Sequence, residues 1–157
     1  MFASGSFTFF HSFLSLIALG AGLVVCGQMM ASLVSRSWVL FYLVTSVGTN
    51  LTGFLFPFTG FLPSHGVGIL SSVLLAVAIY ALYVRELDGR WRGLYAGTMV
   101  ASVYFLAFVG IVQSFLKVPA LLAIAPTGSE MPFAAMQGIA LVFFVWLGVA
   151  AVRRFRP

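Results

Sequence analysis

Two imidazoles, His11 and His65, are the residues in this chain best suited to coordination or proton chemistry near neutral pH. Thr49, Asn50, Gln113, Lys117 and Gln137 accompany them, each interrupting an otherwise apolar run. Polar groups set in apolar surroundings are costly, so they find partners or serve a ligand. The two rings could act as metal ligands, taking the two faces of one haem b iron with Lys117 on a propionate. Alternatively, a quinone or similar amphiphile could place its head-group carbonyl on His11 or Gln113, with the Phe54 to Phe61 cluster around its tail. The plain structural alternative is that each polar side chain bonds a neighbouring helix, worth on the order of 0.6 to 2 kcal/mol in membranes.

Enzyme signatures are absent. The sequence contains no G-x-S-x-G, Walker, CxxC or HExxH pattern, and Glu130 is the only acid on the outer side, with no carboxylate there to pair with it. No catalytic residues are assigned, and the chain is not expected to be an enzyme. Its one cysteine, Cys26, cannot form an internal disulfide.

The elements that must position these residues follow from composition. The chain has 157 residues, 62% hydrophobic and only 7% charged, with apolar runs long enough to cross a bilayer recurring throughout. The expected fold is all-α, a single domain over residues 1–157 forming an integral membrane bundle of five transmembrane helices. The spans are drawn at Phe7–Met29, Trp38–Phe56, His65–Val84, Gly93–Leu116 and Met131–Val152. The start of the chain lacks the basic segment of a secretory signal peptide, so the first span is expected to stay attached.

Charge sets the expected orientation. Seven of the eight basic residues, Arg36, Arg85, Arg90, Arg92, Arg153, Arg154 and Arg156, fall on one side of such a bundle, which the positive-inside rule makes cytoplasmic. The N-terminus is then outside and the C-terminus inside. The net charge of +5 therefore encodes topology, and no nucleic-acid partner is expected. Trp38, Tyr42, Tyr83, Trp91, Tyr95 and Trp146 map towards the cytoplasmic boundary, where amphipathic rings form a belt.

Depth brings the candidate residues together. At 1.5 Å per residue, His11 lies about 6 Å inside its helix end, Gln137 about 8 Å, and Thr49 and Asn50 about 11 Å below Pro57. His65 opens the third span, and Gln113 is one turn from Lys117. All fall in the outer half, whereas the inner half shows no comparable set. The spacing Thr45, Thr49, Thr52, Phe56 defines one helix face, as do His11, Ser15, Gly22 and Gly110, Gln113, Lys117. Gly93 and Gly97 form a GxxxG pair for close helix packing, within the chain or with another subunit. Between the last two spans, Val118 to Ala125 is too short to cross and too apolar for a solvated loop, which predicts a segment that lies along the outer interface or dips into the mouth of the bundle. Ser129 is the expected N-cap of the last helix, with Glu130 in its first turn.

The stretches TSVGTNLTGFLFPFTGFLPSHGVGIL and VQSFLKVPALLAIAPTGSEMPFAAMQG resemble those of a group of small, uncharacterised bacterial inner-membrane proteins. The resemblance implies a bacterial cytoplasmic membrane and no particular activity. Three functional classes follow from the residues. The first is a binding or redox module holding haem b or a quinone in an outer cavity lined by His11, Thr49, Asn50, His65, Gln113, Lys117 and Gln137. The second is an accessory subunit meeting partners through the Phe54–Phe61 turn or the Gly93/Gly97 face. A small permease is the third.

Overall fold

In hydrocarbon a backbone must satisfy its own N–H and C=O groups, and apolar runs of this length do so as helices. The computed structural model describes residues 5–56 and 63–157, without the side chains of residues 63 and 64. It contains α1 (Gly5–Met30), α2 (Arg36–Phe54), α3 (Pro63–Tyr83), α4 (Arg90–Lys117), α5 (Pro119–Ile124) and α6 (Met131–Arg154). No strand occurs among the described residues. Each of the five expected spans falls on a long helix, and the apolar segment before Pro126 forms the short helix α5.

Four helices, α1, α3, α4 and α6, are long and apolar enough to cross a membrane, the mark of a multi-pass membrane protein in contact with lipid. The 19-residue α2 is not among them, because Thr45, Ser46, Thr49, Asn50 and Thr52 dilute its apolar character. Those five residues also explain where α2 sits. It packs against both α1 and α3, with Thr45, Ser46 and Thr49 buried.

The bundle is organised around α4, which contacts α1, α3, α5 and α6. Its buried side comprises Tyr95, Ala96, Met99, Val100, Ser102 and Val103. Small residues set the approach distances. A Cβ on Gly22 of α1 would come within 2.6 Å of Val103 and 2.8 Å of the Tyr42 ring, so α1, α2 and α4 meet at a notch that only hydrogen can fill. Gly93 and Gly97 face Val152 of α6, at 3.6 and 3.7 Å from where a Cβ would stand. The GxxxG pair is therefore spent on packing within the chain and is no free face for another subunit. The Phe54–Phe61 turn lies largely outside the described residues.

One end of the bundle carries the 31–35 and 84–89 turns and the segment after α6, and with them seven of the eight basic residues. At this basic end Phe155 leaves α6 and tucks under the bundle, fully buried, with its ring 5.6 Å from that of Tyr95. Ser32 fastens the same segment. Its hydroxyl donates to the Arg154 carbonyl at 2.7 Å and accepts from the Arg156 amide at 3.0 Å.

The expected aromatic belt needs correction at two positions. Trp38, Tyr83 and Trp146 are exposed as a belt requires, but Tyr42 and Tyr95 are wholly buried. Tyr42 fills the Gly22 notch and meets Ser102 at 2.6 Å. Because the Ser102 hydroxyl already donates to the Met99 carbonyl at 2.8 Å, Tyr42 is the donor of that pair.

Candidate functional site

The α1–α2 contact positions the first histidine. His11 faces α2 one turn from its C-terminal end, where Gly53 leaves room for the ring, 3.5 Å from the place a Cβ would occupy. Its Nδ1 lies 2.8 Å from Thr52 Oγ1. The Thr52 hydroxyl also lies 2.8 Å from the Gly48 carbonyl and 3.1 Å from that of Thr49. A hydroxyl has one hydrogen and a carbonyl has none to give, so both contacts are satisfied together only when Thr52 donates to the backbone and His11 donates Nδ1–H to Thr52. That arrangement puts the free lone pair on Nε2, the tautomer a ligating or hydrogen-bond-accepting imidazole needs.

An aromatic ring walls one side of this imidazole. Phe56 packs edge-on to His11 at 5.2 Å between centroids, and Phe7 lies 5.0 Å from Phe56. Ser15 back-bonds to the His11 carbonyl at 2.7 Å, anchoring the helix turn that carries it. Lys117, exposed in the last turn of α4, lies within electrostatic range of the ring. An imidazole with a committed tautomer, a nearby ammonium and an aromatic wall suits a polar head group that brings a hydrogen-bond donor or a metal to Nε2, carried on an apolar body.

The other candidates do not join this cluster through any hydrogen bond described. Thr49 is buried and donates to the Thr45 carbonyl at 2.9 Å. Asn50 turns to α3, donating to Ser71 and Ser72 at 3.3 and 3.1 Å. Gln137 of α6 donates to the Phe108 carbonyl of α4 at 3.2 Å, leaving its buried Oε1 without a hydrogen bond among the described residues. The Gln113 side chain is exposed, because its helix turns Phe115 inward instead. His65 is half-buried in the first turn of α3. Shared depth thus resolves into separate junctions: α1 with α2 at His11, α2 with α3 at Asn50, and α4 with α6 at Gln137.

A second polar group, at the basic half, escaped the sequence reading. Cys26, Tyr42 and Tyr95 are buried within electrostatic range of one another, and Ser102 completes the set. The Tyr95 hydroxyl makes no hydrogen bond among the described residues. The only signal for this group in the sequence was the position of Tyr42 one turn before Thr45 and Ser46 on the same helix. Its tyrosines read more naturally as interfacial. No group of three or more His, Cys, Asp or Glu able to hold a metal ion occurs among the described residues.

Near the opposite end, Glu130 itself is the N-cap residue of α6, in place of Ser129, and Pro132 sits in the first turn. Its carboxylate folds back onto the preceding turn, accepting from the Thr127 hydroxyl at 2.8 Å and from the Thr127 and Ser129 amides at 3.1 Å each. Desolvation works against ionisation here, but these hydrogen bonds outweigh it and hold the carboxyl below its ordinary value. A lowered pKa means the turn gains stability above the ordinary carboxylate pKa and loses it as pH falls through the lowered value. Protection of the Thr127 and Ser129 amides against hydrogen exchange, taken relative to the intrinsic rate at each pH, should therefore fall at acid pH, and Glu130→Gln should weaken that pH dependence.

Comparison with known proteins finds no family model, no curated protein and no solved structure that matches the chain. The functional reading rests on the residues.

Proposed function

We propose that this is a small bacterial inner-membrane protein of five transmembrane helices that binds an amphiphile with a polar, electron-accepting head group, a quinone or haem b, beside His11 at its outer end. The observation that carries the reading is the His11–Thr52 hydrogen bond, which leaves Nε2 as an acceptor next to Phe56 and within range of Lys117. Thr52 acts as an orienting partner, holding the ring so that a head-group hydroxyl or an iron meets a fixed lone pair. A quinone fits with His11 alone in its reduced, quinol form, whose hydroxyl donates to Nε2. Haem b ligated on both faces requires His65 as well.

The accessory-subunit reading also has a specific observation in its favour. Asn50 and Gln137 spend their amides on helix–helix bonds, the use expected of polar residues that lock a bundle. The two readings separate on the purified protein. A visible absorption spectrum and solvent extraction should reveal a bound chromophore or quinone, and His11→Gln should abolish or shift it while leaving the protein folded in the membrane. Loss with His65→Gln too identifies bis-histidine ligation. If both variants retain every co-purifying small molecule at the wild-type level, the binding module gives way to the accessory subunit.

The topology in this proposal places α2 across the membrane although it is not among the helices whose apolar character alone marks them as spans. Support comes from its 19 residues and its packing between α1 and α3. The arginine distribution makes the basic end cytoplasmic. A reporter fused after Pro157 should be cytoplasmic and one inserted near Gly60 external, and finding both on one side would exclude five spans.

A further inference from the structure

At the basic end, the turn after α1 and the turn after α3 enclose a cleft of about 480 Å³ lined by Val34, Arg36, Leu82, Tyr83, Glu86 and Leu87. Its rim carries one cation and one anion. Among the described residues Arg36 and Glu86 make no ion pair with each other and no side-chain hydrogen bond to any third residue. Two opposite charges that share a cleft without closing on each other leave both available to a third species. Between them the lining is apolar apart from the Tyr83 ring, which is exposed as an interfacial aromatic is.

Backbone geometry points to the same place. Among the described residues three non-glycines adopt left-handed backbone conformations, Ser32 (φ 56°), Glu86 (φ 48°) and Leu87 (φ 61°), and all three lie in the two turns that form this rim. Such conformations are unfavourable for residues bearing a Cβ and tend to persist where a site holds them. Here they are fixed by hydrogen bonds. The Leu87 amide reaches back to the Ala81 carbonyl and the Arg85 amide to that of Tyr80, both at 3.0 Å, while Ser32 is tied to the segment after α6. The result sets Glu86 and Leu87 across from Val34 and Arg36. A second, more open groove of about 390 Å³ is lined by Ser37, Trp38 and Phe41 in the first turns of α2, where Trp38 and Phe41 are exposed.

We infer that this cleft binds the head group of phosphatidylethanolamine, with the phosphate on Arg36, the ammonium on Glu86 and an acyl chain along the Trp38–Phe41 groove. Charge complementarity selects the lipid. A purely anionic head group such as phosphatidylglycerol satisfies Arg36 but meets the Glu86 carboxylate. A choline head group carries the right charges, yet it has no N–H to donate to Glu86, whereas a primary ammonium has three. The inference depends on the chain spanning a membrane and is independent of any ligand at His11.

The test uses the full-length protein in nanodiscs of phosphatidylcholine containing a minor fraction of either phosphatidylethanolamine or phosphatidylglycerol, with retained lipid counted by native mass spectrometry after detergent release. Phosphatidylethanolamine should be retained over both others by roughly tenfold, the size of one charge-assisted hydrogen bond. Glu86→Gln should erase its advantage over phosphatidylcholine, and Arg36→Gln should lower retention of all three. Equal retention of the three lipids, or preferential retention of phosphatidylglycerol, overturns the assignment. Wild-type protein gives a second reading that needs no folded variant. A photoactivatable phosphatidylethanolamine should label peptides containing Val34–Phe41 or Leu82–Leu87, and labelling confined to other segments also overturns it.

Discussion

Gly22→Leu should destabilise the bundle by about 1–3 kcal/mol, the usual range for forcing extra carbons into a filled interior. The notch at Gly22 has no slack, since even a Cβ would stand 2.6 Å from Val103 and 2.8 Å from the Tyr42 ring. Val103 and Tyr42 are themselves fully buried, and Tyr42 is held by its bond to Ser102, so neither can swing aside without disturbing α4. Gly20, two residues earlier on the same helix, is the control. Nothing lies within 4 Å of its missing Cβ, so Gly20→Ala should be neutral or stabilising by up to about 1 kcal/mol through helix propensity. Thermal unfolding of the two variants in the same detergent checks the contrast. Equal melting points for Gly22→Leu and wild type would mean that α1, α2 and α4 do not meet as described.

Phe155→Ala should be costlier still, about 3–5 kcal/mol by the measure of buried phenylalanines in water-soluble cores. The ring is fully buried although it lies beyond the last turn of α6, and it packs on Tyr95. Outside the hydrocarbon the alternative environment for Phe155 is water, so the hydrophobic drive that is weak between lipid-embedded helices applies here in full. Phe155→Leu, which keeps most of the apolar volume, should recover much of the loss. The same unfolding assay measures both. A Phe155→Ala protein as stable as wild type would show that the segment after α6 does not seal the bundle.

Helices were legible in this sequence because length and apolarity decide them. Phe7–Met29 and Met131–Val152 could scarcely be anything else in a chain with so few charges. What the helices turn inward was less legible, for a physical reason. Inside a membrane protein both the core and the lipid-facing surface are apolar, so hydropathy does not distinguish Phe115, which is buried, from Leu116, which is exposed. Polar residues gave the better signal on α2, where the four-three-four spacing of Thr45, Thr49, Thr52 and Phe56 marks the side towards α1. It failed on α4, where Gln113 is exposed. Depth alone grouped His11, Asn50 and Gln137, but depth fixes only one of three coordinates. Helix rotation and neighbour order assign them to different junctions. Tyr42 and Tyr95 were misplaced because a tyrosine near a helix end is suited to headgroups as well as to the core; the Gly22 notch and Ser102 take in Tyr42, and the Phe155 ring covers Tyr95.

The Ser32 clasp has a consequence for biosynthesis. Ribosomes deliver the chain from its N-terminal end, so Ser32 leaves the exit tunnel 122 residues before the Arg154 carbonyl that it will bind. Throughout that interval the hairpin of α1 and α2 has its turn unfastened, and the hollow beneath Tyr95 stands open until Phe155 arrives. The earliest helices of this protein can insert as soon as they are made, but their final alignment waits on residues 154–156, which follow long after them. An incomplete chain would therefore reach the membrane with all its long helices and still lack its closing bolt, a difference that cellular proteases could read.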